Sequence, residues 1–203
     1  MKKQHWIIFI PILIVIGYLF FSPEDDASYR ELVNKEIDSR KKFLEFNEQS
    51  PFRLFNEPYT TPSYFEIDPS YKVTATIEKI NERQFVTLET STGEPERYLK
   101  YAYLVFNLQS QPLRLLVLKP AGLGAANVFF CAFADATSGT LTYGGGRYLD
   151  VTLGKSQKTT LDFNLAYNPY CAYVSGYSCP LPPPENTLPI SILAGEKIFK
   201  NTH

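Results

Sequence analysis

The residues able to do chemistry crowd toward the C-terminal part of the chain. Arg147, Asp162, Asn164, Tyr167, Asn168, Glu185 and Asn186 follow one another there. A guanidinium presents a planar fork of donors that grips a carboxylate or phosphate with two bonds. Asparagines beside tyrosines suit a sugar or a peptide, by hydrogen bonding and ring stacking. Together they point to a site for a small polar ligand or an envelope component. A second reading is hydrolysis, with Asp or Glu side chains as acid and base and Arg147 stabilising charge. Two carboxyls cleave a glycosidic bond when held roughly 5–9 Å apart, and Glu185 and Glu196 add to the acidic candidates. A third reading makes the aromatic loop around Tyr167, Tyr170, Tyr173 and Tyr177 a docking surface for an assembly partner.

Each residue also has a structural role open to it. In an alternating strand Arg147 shares a face with Leu149 and Val151, so it is partly buried and needs a partner: Asp135, Asp150 or Asp162. Asp162 and Asn164 are either plain solvent alternation beside Leu161 and Phe163 or a polar cluster in a barrel mouth or cleft. Gly144-Gly145-Gly146 is either an anion-binding nest or a bend leading into the Arg147 strand. It is not followed by Lys-Ser or Lys-Thr, so it is no nucleotide loop.

The only histidines, His5 and His203, sit at the ends of the 203-residue chain. That removes Ser-His-Asp triads, Cys-His dyads and multi-histidine metal centres, and no cofactor is expected. Cys171 and Cys179 bracket seven residues and form the simplest disulfide outside the cytoplasm, with a model stabilisation of roughly 2–3 kcal/mol. Zinc is disfavoured with no histidine to complete the ligand set. Cys131, in an apolar run, reads as a buried thiol. A net charge of −1 offers no basic patch for nucleic acid.

These residues need elements to hold them. Residues 6–21 carry no charge and follow Lys2 and Lys3. As a helix they span about 24 Å, a little less than the ~30 Å hydrocarbon core. They are expected to form an uncleaved signal anchor, with a cleaved signal peptide as the alternative, residues 1–27 being stub, anchor and linker, and residues 28–203 one extracytoplasmic domain, periplasmic or on the cell surface. Beyond residue 21 the net charge is −3, from 18 basic and 21 acidic residues.

Residues 28–48 repeat apolar side chains near the helical period, and predict one amphipathic helix. Four prolines between Ser50 and Pro69 mark an aromatic loop that packs on the body. The period then changes to two. Strands are predicted over 71–78, 85–89, 101–108, 113–118, 128–133, 147–153, 159–164 and 189–193. The 101–108 and 113–118 strands pair as a hairpin. No βαβ rhythm appears, so the fold class is mainly β: an antiparallel β-sandwich or barrel, preceded by the membrane-anchor helix and the amphipathic helix.

The C-terminal motifs resemble those of the DUF1684 family of bacterial and archaeal proteins. The likeness is strongest over residues 130–197. It runs through Asp135, Thr137-Ser138-Gly139, Thr142-Tyr143-Gly144, Arg147 and Leu161-Asp162-Phe163-Asn164. It continues in Tyr167-Asn168-Pro169, Cys171-Ala172, Cys179-Pro180-Leu181-Pro182-Pro183, Glu185-Asn186 and Ala194-Gly195-Glu196. The resemblance implies no activity and supplies no catalytic residues, because the family's function is unknown.

Overall fold

The computed structural model describes residues 23–121 and 129–200. Helix α1 (Pro23–Phe46) opens the described chain. It buries Val33, Ile37 and Leu44 on one stripe, and half-buries Tyr29 and Arg40 on the same stripe. Leu32 faces outward at 60% exposure. The short helix α2 (Pro51–Leu54) buries Phe52 against Tyr59, Tyr173 and Phe199. The proline-rich segment therefore packs, as its aromatics required.

Five strands make one antiparallel sheet: β1 (Lys72–Lys79), β2 (Phe85–Leu88), β3 (Glu96–Leu108), β4 (Gln111–Pro120) and β7 (Lys158–Asp162). At 13 residues β3 is long enough to pair β4 along one edge and both β2 and β1 along the other. β7 then adds to β1. The β3–β4 hairpin turns at Gln109 and Ser110, both with positive φ (52° and 61°). That backbone twist matches the twist of the flanking strands.

β5 (Cys131–Phe133) and β6 (Arg147–Leu149) form a second, two-stranded sheet. It is joined to β4 by a Leu118–Phe130 bridge and continued by a Tyr148–Tyr167 bridge. The sheets do not close into a barrel, since no described strand pairs the Tyr167 end back to β7. The barrel alternative is thereby corrected. β7 gives way at Asp162 to a 3-10 turn, Phe163–Leu165, which turns Phe163 into the core instead of extending the ladder.

The predicted strand at 189–193 is a second correction. Ile190 and Ile192 are buried, but the segment carries no ladder. Its Ile192 carbonyl accepts from the Arg147 guanidinium and its Ser191 carbonyl from the Gln109 side chain, which leaves neither for a ladder. The main core lies between one face of the large sheet and this irregular layer. Leu104, Phe106, Leu115, Val117 and Leu161 meet Phe133, Phe163, Ile190 and Ile192 there. Phe133 and Phe163 meet edge to face at 5.3 Å.

The anchor expected over residues 6–21 lies outside the described residues. Among the described residues, no helix is long and apolar enough to cross a membrane.

Candidate functional site

The seven residues singled out by type and spacing are placed in several different environments. Arg147 is 1% exposed. It donates to the Asp135 carboxylate at 2.8 Å and to the carbonyls of Ile192 (3.1 Å), Glu196 (3.3 Å) and Ala194. Asp135 also accepts from the Thr137 amide and hydroxyl at 2.7 and 2.6 Å. Burial pulls the guanidinium below its ordinary pKa, and the Asp135 charge works against that pull. Arg147 thus ties β6 to the C-terminal segment. The glycine run before it is a bend: Gly146 has φ +81°, and a Cβ there would stand 2.6 Å from the Phe133 carbonyl and 2.5 Å from Pro182.

Asn186 copies a backbone pair with its side chain. Its Oδ1 accepts from the Leu116 amide at 2.7 Å, while Nδ2 donates to the Leu116 and Ala132 carbonyls at 2.9 and 2.7 Å. It therefore splices β4 to β5 where the main chains do not reach. Glu185 beside it is half-buried, paired with Lys100 at 2.7 Å and Tyr103 Oη at 2.6 Å. Its burial raises the pKa, but these two bonds outweigh burial and leave it lowered.

Asn168 holds a second buried charge site. Its amide and Nδ2 donate to Glu196 at 3.2 and 2.8 Å, and Tyr173 Oη donates to both Glu196 oxygens at 2.8 Å. Glu196 is fully buried, and burial pushes its carboxyl up to about 7 against those bonds.

Asp162 and Asn164 clasp helix α1. Tyr29 Oη donates to Asp162 at 2.8–2.9 Å, and Asn164 Nδ2 donates to Tyr29 Oη at 2.9 Å and to the Asp68 carbonyl at 2.8 Å. Burial and the Asp162 carboxylate raise the Tyr29 phenol. Farther along the helix, Arg40 lies over Tyr167, its Cζ 3.3 Å from the ring centroid, and Tyr167 Oη donates to Asp150 at 2.7 Å.

Between these two attachments, α1 roofs a cavity of about 640 Å³. Arg40, Glu36, Asp150, Asp162, Tyr64 and Tyr170 line it, so of the seven residues only Asp162 is in its wall. Burial weakens the Arg40 charge, but Tyr167, Tyr173, Asp150 and Tyr64 outweigh burial and raise its pKa. Asp150, the carboxylate paired with it, is 3.9 Å away with 84% of its side chain exposed. A guanidinium held over a ring and paired so loosely retains donors for a ligand. The signal for Arg40 was present in the sequence as an arginine within the apolar helix stripe, three residues after Ile37 and four before Leu44. Tyr64 and Asp150 carried no comparable mark.

The expected Cys171–Cys179 disulfide is corrected: all three cysteines are free thiols. The Cys179 sulfur instead accepts the Cys171 amide at 3.2 Å, and Tyr143 Oη donates to the Cys171 sulfur at 3.6 Å. No cluster of three or more metal-ligating side chains occurs among the described residues.

An open antiparallel β-domain whose C-terminal motif residues are hydrogen-bonded into its frame, with a polar cleft under one helix, is the class of protein defined so far. Residues 57–197 match the family described as protein of unknown function (DUF1684), and the chain belongs to that family. It is similar to the solution NMR structure of an uncharacterized protein of Haloarcula marismortui. That likeness has 35% identity and a TM-score of 0.65, covering 86% of this chain and 96% of that one. No curated protein matches the chain.

Proposed function

We propose that the chain binds a small polar ligand of sugar-like chemistry in the cleft under α1. The observation carrying this reading is the lining of that cavity: one loosely paired guanidinium, three carboxylates and two tyrosines around about 640 Å³. The size lies within the range of roughly 300–1,000 Å³ typical of ligand pockets. Carboxylates accept from hydroxyls, Arg40 donates to ring or hydroxyl oxygens, and the tyrosine faces stack on a sugar ring. Acceptors outnumber cations, which favours a neutral or amino sugar over a phosphate.

Binding is favoured over hydrolysis by the place of the one carboxyl among the described residues that is pushed up to about 7. Glu196 is sealed from solvent and occupied by Tyr173 and Asn168, so it reaches no substrate. The proposal includes a tether through residues 6–21, with the β-rich domain outside the cytoplasm and an envelope component as ligand. The uncharged run after Lys2 and Lys3 supports that part.

The test is thermal unfolding of the chain against neutral sugars, amino sugars, sugar acids and inorganic phosphate. A rise in Tm that grows with sugar concentration, lost in Arg40→Gln and reduced in Glu36→Gln, is expected. No rise with any sugar, or an equal rise in Arg40→Gln, overturns the reading. Near-UV circular dichroism of each variant checks that the fold is kept.

A further inference from the structure

The loop between Cys171 and Cys179 is fastened at both ends. Its start is a 3-10 turn, Tyr170–Ala172, closed by the Ala172 amide on the Pro169 carbonyl at 2.9 Å. Its end is held to the segment after β2. The Ser91 amide donates to the Cys179 carbonyl at 2.9 Å, the Cys179 amide to Ser91 Oγ at 3.0 Å, and Ser91 Oγ to the Tyr177 carbonyl at 2.8 Å. These bonds set the two thiols beside each other, with the Cys179 sulfur 3.2 Å from the Cys171 amide. Cys171 is half-buried and reachable, whereas Cys179 is 4% exposed.

We propose that Cys171 is a peroxide-reactive cysteine and that Cys179 is its resolving partner. The site has the parts that this chemistry needs: an accessible sulfur that accepts from Tyr143 Oη, and a second thiol adjacent to it and shielded from the reagent. The Cys179 thiol, most of all, stabilises the Cys171 thiolate against burial, and Ser91 and Tyr143 assist; the Cys171 pKa falls to about 6. Cys179, as the donor, is raised first by that same bond and then by burial. The other titratable groups facing the pair are the phenols of Tyr98, Tyr143, Tyr148, Tyr170 and Tyr177, all with raised pKa. They stay neutral across the physiological range.

The reaction balances with hydrogen peroxide as oxidant. The Cys171 thiolate attacks one peroxide oxygen, the O–O bond breaks, and a sulfenic acid forms. The departing oxygen takes the Cys179 proton and leaves as water. The Cys179 thiolate then attacks the Cys171 sulfur, the S–O bond breaks, and hydroxide leaves as the disulfide forms. Sulfur gives up two electrons and peroxide gains them; a small dithiol reverses the step. Cys131 stands outside this chemistry, because burial pushes its thiol up to about 12.

The experiment treats the reduced full chain with hydrogen peroxide, then counts and maps thiols by mass spectrometry. The expected result is a Cys171–Cys179 disulfide with Cys131 untouched. In Cys179→Ser, dimedone should label Cys171, and in Cys171→Ser nothing should be labelled. Iodoacetamide gives a second readout. A thiol whose pKa is lowered carries more thiolate at pH 6 than an ordinary cysteine near 8.5, and the gain in thiolate exceeds the loss in nucleophilicity, so Cys171 should alkylate several-fold faster than free cysteine at pH 6. Cys179→Ala should remove that advantage. Labelling first at Cys131 or Cys179, or Cys171 alkylation at pH 6 no faster than free cysteine, overturns the proposal.

Discussion

Glu196 allows a quantitative test, because its environment can be converted into a pH-dependent stability. The carboxyl is fully buried and pushed by burial from 4.5 to about 7. The folded chain therefore holds the proton more tightly than the unfolded chain. Stability from this group is fully present below pH 4.5 and is lost as pH rises toward 7, with little further change above that. Each pH unit in the window is worth about 1.4 kcal/mol, so the full loss is about 3 kcal/mol. Glu196→Gln keeps the shape of the neutral acid and removes the titration. The assay is urea unfolding at steps from pH 4 to 8.5, plotted as the difference between the original chain and the variant. That subtraction cancels the other carboxylates, including Glu185, whose lowered pKa acts in the opposite sense. The difference should fall by about 3 kcal/mol toward neutral pH and then level off. A flat difference would mean that Glu196 titrates in the folded chain as it does in the unfolded one, and a rise with pH that its folded pKa is lowered; either result makes the burial argument wrong.

Other substitutions test the frame. Arg147→Lys keeps a charge but loses the planar fork that reaches Asp135 and the C-terminal carbonyls. It should lower unfolding free energy by about 3 kcal/mol in denaturant titration. Asn186→Leu strands the Leu116 amide and two carbonyls and should cost about 2–4 kcal/mol, seen as a drop in Tm. Gly146→Ala combines φ +81° with a Cβ overlapping the Phe133 carbonyl, whereas Gly93→Ala has φ +84° in open space. The first should destabilise clearly more than the second, whose strain alone is about 1 kcal/mol; equal melting shifts would contradict the packing. Tyr29→Phe removes the hydroxyl between Asp162 and Asn164 and should cost about 1–2 kcal/mol, with faster proteolysis within α1.

The fold was legible where local pattern and environment agree. Alternation predicts strands at 71–78, 85–89 and in the 101–108/113–118 hairpin, and each is present because one face meets the core, although β3 starts five residues earlier than the pattern marks. The strand at 189–193 failed for a physical reason: its apolar alternation is real, but its carbonyls have scattered partners, Ile192 with the Arg147 guanidinium, Ser191 with the Gln109 side chain and Ile190 with the Ala136 amide. Arg147 needed a buried partner because it shares a face with Leu149, and Asp135 was among the three partners its sequence neighbourhood offered. Nothing in the pattern marks Asn186 as a substitute for backbone pairing, since an amide side chain looks the same in a loop. The cleft was hidden because its walls come from α1, Tyr64, Asp150 and Asp162, whose meeting depends on where the helix docks.

That docking has a mechanical consequence. Beyond its buried apolar stripe, α1 holds the body by side-chain links in series: Tyr29 to Asp162, Arg30 to the Ile67 carbonyl, and Arg40 on Tyr167. A pull on the N-terminal end of the helix loads Tyr29 and Arg30 before it loads Arg40. The links then yield one after another, as a zipper does, instead of sharing the load. Because the same helix roofs the cleft, tension would open that roof from the Asp162 end while the sheet stays intact.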